Sequence, residues 1–264
     1  MRVGVITGTG TYTLPGLDRG VLEPVATRFG EALVTRGTVG DVEVLHVSRH
    51  GEEHARLSNQ VAHRAHVSAL GDLGADAVIG VTVCGAVDPS VPLGSLIAFD
   101  DLHFLTNRLA DGSLCTLYDT PGEPGRGHWI FEDPFSGDVR AALLEACAEV
   151  GVAVRDGGCY GHVDGPRFNT RAEIRSLALA GVTAVSQTAG PETVLCGERE
   201  LPYALLGYAT DYANGVQEEA TPVEELVRLI AASSEVFAAV VAAALPRLAG
   251  RDLSPPGVVY RFED

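Results

Sequence analysis

The chain has 264 residues, of which 46% are hydrophobic and 20% charged, and its 19 basic and 35 acidic side chains give a net charge of −16. These proportions are ordinary for a folded soluble protein, and the acidic excess argues against nucleic acid or an anionic membrane as the main partner. Every basic side chain other than histidine is arginine, which excludes a P-loop lysine and a Schiff-base lysine.

Short apolar runs alternate with longer helical patterns along the chain. Buried strands are predicted over Arg2–Thr7, Val42–Ser48, Ala77–Val83, Ser95–Phe99, Val182–Val185 and Tyr203–Thr210. Helices are predicted over Asn59–Leu73, Val139–Val150, Arg171–Ala180, Pro191–Glu198 and Pro222–Leu248. Capping boxes begin at Thr170 and at Thr221, with Pro222 as the first helical residue of the second. The alternation predicts an α/β fold with a mixed or mostly parallel sheet.

Domain organisation and compartment are inferred from four further features. The stretch Thr106–Gly127 is rich in turn residues and is predicted to be a long loop, so residues 1–264 are treated as one domain. Residues 1–6 read as a strand rather than a signal-peptide core. The apolar stretch from Ala231 to Leu245 has polar residues at 233–235, which predicts a soluble helix. The five cysteines lack a C-x-x-C pair, as expected for reduced thiols in a cytoplasm.

The segment Thr7–Gly10 follows the first predicted strand and contains two glycines. Its backbone N–H groups and a threonine hydroxyl can hold a phosphate. The dinucleotide-binding pattern fails here, because position 13 is Thr and Pro15 follows. A plain glycine turn is the equally weighted alternative.

The segment from Ser48 to His54 also follows a predicted strand, and three interpretations compete. His50, Glu53 and His54 match an inverted zinc-protease motif, but Gly51 and the absence of a helical period disfavour it. Arg49 and His50 can instead form an anion site at a strand end, in which the histidine adds hydrogen-bond donors. The third interpretation is a solvated polar loop.

Three other strand and helix ends carry candidate residues. Cys84 closes a buried strand, but no base lies near it in the sequence, which favours a structural thiol over a nucleophile. Phe168 and Asn169 precede a capped helix and offer an aromatic face and an amide, although a core phenylalanine is the commoner case. Asp211 ends the last strand and can be a general acid, with a turn-forming Asp as the alternative.

Six segments, in this order and spacing, resemble the trimeric purine nucleoside phosphorylase family, and most closely its methylthioadenosine phosphorylase branch. They are Gly8-Thr9-Gly10, Ser48-Arg49-His50-Gly51-x-x-His54, Thr82-x-Cys84-Gly85, Gly165-Pro166-Arg167-Phe168-x-x-Arg171-Ala172-Glu173, Thr188-x-x-Pro191-Glu192 and Ala209-Thr210-Asp211-Tyr212. The resemblance covers nearly the whole chain. It implies a single α/β domain with a central mixed β-sheet flanked by helices, and a homotrimer with sites at the subunit interfaces.

The resemblance also implies roles for twelve residues. Phosphate is expected to bind Thr9, Arg49, His50, Thr82 and Thr188. Asp211 and Asn169 are expected to contact the purine edge and to act in catalysis. The base and ribose are expected to meet Phe168, Gln187, Cys84 and Gly85, while His128 is expected to reach the 5′ pocket of a neighbouring subunit.

The implied reaction is phosphate-dependent cleavage of the N-glycosidic bond in 5′-methylthioadenosine, 5′-methylthioinosine or a related purine nucleoside. The departing purine needs a proton or hydrogen bond at N7, which Asp211 can mediate, and phosphate opposite the oxocarbenium-like sugar attacks C1′. Such an enzyme is a pentosyltransferase of purine salvage that uses no metal or other cofactor, with inorganic phosphate as co-substrate. The expected partners are thus small molecules and copies of the same chain.

Several positions depart from the family pattern around the base and ribose. Ala213 replaces a second Asp, Asn169 replaces Ser, Gln187 replaces Met and Asp164 replaces Glu or Gln, while the pair Ala62-His63 replaces Asn-Tyr. Losing one carboxylate weakens the case for a 6-amino purine, whose amine needs an acceptor. A flipping amide at Asn169 would accept either purine type. The alternatives to a working phosphorylase are a non-catalytic nucleoside-binding relative and the zinc hydrolase.

Overall fold

The computed structural model describes residues 1–12, 14, 17 and 20–262, so Thr13 and Pro15 lie outside the described residues. The described part contains the helices α1 (His63–Asp72), α2 (Gly137–Val150), α3 (Arg171–Leu179), α4 (Ala189–Glu198) and α5 (Val223–Ala244). Its strands are β1 (Arg2–Thr7), β2 (Val21–Thr27), β3 (Gly30–Val39), β4 (Val42–Ser48), β5 (Ala77–Ala86), β6 (Leu96–Ala98), β7 (Asp101–His103), β8 (Gly127–Ile130), β9 (Val154–Asp156), β10 (Cys159–His162), β11 (Val182–Ser186), β12 (Tyr203–Tyr212) and β13 (Val258–Arg261).

Eleven of these strands form one mixed sheet, which confirms the predicted α/β fold with a central mixed sheet. Its main path runs β2-β3-β4-β1-β5-β11-β10-β7, and β12 pairs with β5 as a branch that carries β6 and β9. β1 is parallel to β4 and β5, and β12 is also parallel to β5. β11 is antiparallel to the end of β5, so the sheet divides where that strand ends.

Helices cover both faces of the sheet because its central strands are apolar on both sides. Along β1, Val3 and Val5 belong to the core cluster that α2 and α5 complete, whereas Ile6 belongs to the cluster that α1 and α4 complete. This alternation is the two-residue period of a strand buried on both faces. The two helix pairs thereby hold the strand ends in fixed positions.

The predicted strands at the centre agree best with the structure. β1 and β4 have the predicted bounds, while β5 and β12 run three and two residues further than predicted. The β2–β3 hairpin was not predicted, because β2 is largely exposed and contains Pro24 at the edge of the sheet. The short strands β7–β10 and β13 have three or four residues each and no continuous apolar run.

One of the two predicted capping boxes is confirmed and the other is wrong. The Thr170 hydroxyl accepts from the backbone N–H of Glu173, whose carboxylate accepts from the backbone N–H of Thr170. At the other helix, Pro222 is the N-cap and α5 begins at Val223. The Thr221 hydroxyl instead accepts from the backbone N–H of Tyr212 at the end of β12.

The segment Val223–Leu248, formed by α5 and a following 3-10 turn, is long and apolar enough to span a membrane by length and composition. In the folded chain Leu229, Phe237 and Val241 pack into the core beside α2 and β12. On another part of the helix, Leu226 and Ile230 border the cavity described below. The helix is therefore a core element of this fold.

Candidate active site

The C-terminal ends of four parallel strands, β4, β1, β5 and β12, meet at one edge of the sheet, where a cavity of about 280 Å³ opens. Open α/β sheets bind ligands at this edge. Eleven of the twelve residues proposed from the sequence line this one cavity: Thr9, Arg49, His50, Thr82, Cys84, Gly85, Phe168, Asn169, Gln187, Thr188 and Asp211.

The loop after β1 forms a tight turn at the cavity wall. The backbone N–H of Thr11 donates to the carbonyl of Gly8 at 3.1 Å, and Gly10 has a φ of 84°. Gly8 lies directly against the Arg49 guanidinium, and a Cβ atom at this position would overlap Nη1. The glycine thus provides the space in which the arginine lies beside Thr9.

Arg49 is fully buried at the end of β4 and is held by Glu192 of α4 in a bidentate ion pair. Nε donates to Oε1 at 2.5 Å and Nη2 donates to Oε2 at 2.9 Å, while Nη1 donates to the carbonyl of Val81 at 3.1 Å. Burial opposes the charged form, but the Glu192 charge and hydrogen bonds raise the pKa of Arg49 above its ordinary value. The guanidinium is therefore a permanently charged, fixed group.

His50 follows Arg49 and has a defined tautomer. Its Nδ1 lies 2.8 Å from the carbonyl of Arg56, which can only accept, so Nδ1 carries the proton. Burial, together with the charge of Arg49, lowers the pKa of His50 to about 3. The neutral ring leaves Nε2, which faces the Gly8 loop, as an acceptor, while the role of His50 as a donor to phosphate stays a prediction.

Thr82 and Thr188 bring further hydroxyl groups to the same part of the cavity. Thr82 on β5 shares a hydrogen bond of 3.0 Å with the hydroxyl of Ser186 at the end of β11. Thr188 is the N-cap residue of α4, which therefore begins at the cavity wall. The first N–H of this helix, at Ala189, donates to the hydroxyl of Tyr160 at 3.1 Å, and the third helical residue is a proline, so few free N–H groups remain there for an anion.

Asp211 is positioned by a bulge in β12. The register with β5 shifts between Ala209 and Asp211, and Asp211 then pairs with Gly85. Bulges re-aim side chains beside functional sites. Asp211 Oδ1 accepts from the hydroxyl of Thr210 at 2.9 Å, and burial raises the pKa of this carboxyl above its ordinary value.

Cys84 lies one residue before Gly85 and is buried. Burial, together with the charge of Asp211, raises the pKa of its thiol well above the ordinary value. A neutral thiol in this setting is a poor nucleophile, which supports the interpretation of Cys84 as a packing residue.

Phe168 and Asn169 stand at the mouth of the cavity, just before α3. The Phe168 ring is 62% exposed, so one of its faces is open to a ligand. Asn169 Nδ2 donates to Glu173 Oε2 at 3.3 Å, and its backbone carbonyl accepts from Asn214 at 2.7 Å. The contact with Glu173 fixes the Asn169 amide and leaves its oxygen without a hydrogen-bond partner in the part of the chain that the structure describes, which argues against the proposed flipping.

Gln187 borders the cavity, but both ends of its amide are bound to protein groups. Oε1 accepts from the hydroxyl of Ser58 at 2.8 Å, and Nε2 donates to the carbonyl of Arg167 at 3.0 Å. This residue braces the segment before Phe168. Any ribose contact uses the remaining lone pair or N–H of the same amide.

His128 lies outside this cavity, in a two-stranded ribbon formed by β8 and β13. Its ring packs edge-on against Phe262 with centroids 5.4 Å apart, and the side chain is exposed. This placement separates His128 from the other eleven residues within one chain.

The contact of Glu192 with Arg49 and several residues of the cavity wall were not predicted from the sequence. Ser58, Ser186 and Thr210 line the cavity, as do Leu226 and Ile230 from α5. The two α5 residues are spaced i and i+4, a helical signal that was available but not specific. The partner of a buried arginine, in contrast, is 143 residues away in the chain.

The segment proposed for zinc is not a regular helix. Glu53 and His54 have φ angles of 51° and 60°, and the rings of His50 and His54 stack with centroids 4.1 Å apart. Within residues 1–12, 14, 17 and 20–262, no three His, Cys, Asp or Glu side chains are grouped to hold a metal ion. The geometry required by the zinc-protease motif is thus absent from the described segment.

The chain matches the sequence profile of the phosphorylase superfamily over residues 2–246. It is 32% identical to the 6-oxopurine nucleoside phosphorylase of Pyrococcus furiosus, over 93% of this chain and 92% of that protein. It is 38% identical to the S-methyl-5'-thioadenosine phosphorylase of Mycolicibacterium smegmatis, over 82% and 79%. The methylthioadenosine phosphorylase from Schistosoma mansoni in complex with adenine has a similar structure, with a TM-score of 0.85 at 25% identity over 96% and 93%.

The family assignment agrees with the site described above. The matched profile spans most of the chain, and a relative more than 30% identical is covered along nearly its whole length. The chain therefore belongs to the phosphorylase superfamily.

Proposed function

We propose that this protein cleaves the N-glycosidic bond of a purine nucleoside with inorganic phosphate, which releases free base and a ribose-1-phosphate-type product. The observation that carries the proposal is one cavity with anion-binding groups beside Gly8 and a carboxyl group beside Gly85. Thr82 and Gly85 are three residues apart on β5, about 10 Å at the rise of a strand. That length accommodates a ribose ring between phosphate and base.

In the proposed reaction the C1′–N9 bond breaks and its electron pair passes to the purine. The protonated carboxyl of Asp211 donates to N7, a role supported by its raised pKa. A phosphate oxygen then forms the new bond to C1′, and the phosphate charge stabilises the oxocarbenium-like sugar. Thr9, Arg49 and Thr188 hold the anion, and the reaction needs no metal or other cofactor.

We propose a 6-oxopurine nucleoside as the preferred substrate. Asp211 has Ala213 rather than a second carboxylate beside it, so the acceptor expected for a 6-amino group is missing. The amide oxygen of Asn169, fixed by Glu173, is an acceptor that fits the N1–H of a 6-oxopurine. N1 of an adenine-type base carries a lone pair and would oppose this oxygen. The name of the Pyrococcus furiosus relative agrees with this preference, whereas the Mycolicibacterium smegmatis and Schistosoma mansoni relatives are named for methylthioadenosine.

The proposed assembly is a cytoplasmic homotrimer acting in purine salvage. His128 and the exposed apolar residues Ile130, Val258 and Tyr260 lie on the β8–β13 ribbon. A ribbon of this composition fits an interface with a second copy of the chain. In that arrangement His128 closes the 5′ end of a neighbouring cavity, a proposal that sedimentation equilibrium of the pure protein tests first.

The function is tested by liquid chromatography of the pure protein with inosine, guanosine, adenosine, methylthioinosine and methylthioadenosine, each with and without phosphate. Phosphate-dependent release of base, fastest from the 6-oxopurine substrates, supports the proposal. Release of base without phosphate contradicts the proposal and favours a hydrolase. A zinc hydrolase would in addition contain stoichiometric zinc. Nucleoside binding without any cleavage supports the non-catalytic relative instead.

A further inference from the structure

Glu192 is a buried carboxylate that does not border the cavity, yet it contacts Arg49, which does. Its side chain is 1% exposed, and both of its oxygens bind Arg49. The hydroxyl of Tyr203 also donates to Oε2, at 3.0 Å. His63 Nδ1, which is fully buried, lies 3.8 Å from Oε1. The carboxylate is thus anchored on α4 and held by a hydrogen bond from β12, whereas His63 is too distant for a hydrogen bond.

We infer that Glu192 is a positioning residue for the phosphate co-substrate, acting through Arg49; this inference rests on the proposed function. A guanidinium has five N–H groups in one plane. Among the described residues, Glu192 and Val81 accept from three of them, which leaves one N–H on Nη1 and one on Nη2. Glu192 therefore fixes the plane in which the two remaining donors meet a ligand.

Two opposing effects follow if Glu192 loses its charge. A neutral residue makes the cavity more cationic, which favours phosphate. However, a glutamine also turns an N–H₂ donor toward one of the Arg49 donors and breaks the bidentate pair. The pair joins atoms at 2.5 and 2.9 Å, whereas phosphate must contact the opposite edge of the guanidinium. Because Glu192 contacts Arg49 directly and acts on phosphate only through it, losing the orientation of Arg49 weakens phosphate binding more than removing the Glu192 charge strengthens it.

The test compares Glu192→Gln with wild type and with Glu145→Gln, a matched control on α2 whose exposed carboxylate pairs with Arg251. Phosphate binding is measured by isothermal titration calorimetry, and KM for phosphate and for nucleoside by base release. We expect Glu192→Gln to weaken phosphate binding by about 10- to 100-fold and to leave nucleoside binding in the absence of phosphate unchanged. The control should match wild type in every constant.

Phosphate binding by Glu192→Gln that equals or exceeds that of wild type overturns the inference. A purely structural role is recognised by equal loss of both substrates together with a lower Tm, and this outcome also contradicts it. Tyr203→Phe removes one hydrogen bond to Glu192 but keeps the ring, and should raise KM for phosphate in the same direction by a smaller factor. If wild type binds phosphate without cleaving any nucleoside, the proposed function fails while calorimetry still decides the role of Glu192.

Discussion

Gly8→Ala tests whether the Arg49 guanidinium must lie where the structure has it. A Cβ atom added at Gly8 would lie closer than 3.0 Å to Nη1, a separation that Cβ atoms essentially never show. The arginine cannot turn aside easily, because Glu192 binds it through two atoms and Val81 accepts from Nη1 at 3.1 Å. Either the loop or the guanidinium must shift by roughly 1 Å, and a misplacement of this size lowers reaction rates by about 100-fold.

The assay is base release at varied phosphate concentration, with nucleoside binding measured separately by calorimetry. We expect kcat/KM for phosphate to fall by about 100-fold while nucleoside affinity without phosphate changes little. Gly137→Ala is the matched control, since a Cβ atom there meets nothing within 4 Å and the residue opens α2. Wild-type kcat/KM for phosphate in Gly8→Ala would refute the reasoning, because Arg49 would then function equally well in another position.

Three further predictions concern the carboxyl end of the cavity and the buried histidines. Burial raises the pKa of Asp211, so turnover should decline as pH rises through that value; Asp211→Asn should abolish this alkaline limb and lower kcat by about 100-fold, checked by pH–rate profiles. Ala213→Asp restores a second acceptor and should raise the ratio of adenosine to inosine cleavage by about 10-fold, measured in mixed-substrate competition; an unchanged ratio would contradict the base preference. Burial lowers the pKa of His46 to about 4 and that of His66 to about 3, below their values in the unfolded chain. The free energy of unfolding therefore keeps its full value above about pH 6.5. Between that pH and about pH 4 it falls by about 1.4 kcal/mol per pH unit for each histidine. Thermal unfolding scans between pH 7.5 and 4.5 check this loss of stability, and a constant Tm would contradict it.

The centre of the fold was predictable because its strands are buried on both faces. A continuous apolar run such as Arg2–Thr7 has no competing interpretation as a surface element, and its predicted bounds are those of β1. The β2–β3 hairpin lies at the sheet edge, where side chains meet solvent and Pro24 is tolerated, so no apolar run marks it. Thr221 shows a different limit of sequence-based prediction. Its hydroxyl accepts a hydrogen bond from the end of β12 rather than capping α5.

The residue types of the candidate site were also predictable, whereas their arrangement was not. Strand ends bearing Thr9, Arg49 and Asp211 could be identified one by one, and a parallel sheet brings such ends together. The bulge that turns Asp211 toward Gly85 depends on register between two strands, which no local pattern encodes. The pairing of Arg49 with Glu192 and the tautomer of His50 likewise depend on contacts that only the folded chain creates.

The ion pair of Arg49 with Glu192 and the neutral ring of His50 determine how this acidic protein would bind an anion. The charge of Arg49 is offset by Glu192 at contact distance, and His50 is neutral, so the phosphate end of the cavity carries little net charge of its own. Selectivity in the proposed site must then come from hydrogen-bond geometry, with hydroxyl groups and the two remaining guanidinium N–H groups of Arg49 as the donors. The bare Nε2 of His50 is the complementary acceptor, and hydrogenphosphate has one P–OH group to give it. A net charge of −16 is compatible with such a site, because over a Debye length of about 8 Å salt screens the distant acidic side chains and leaves the contacts to decide.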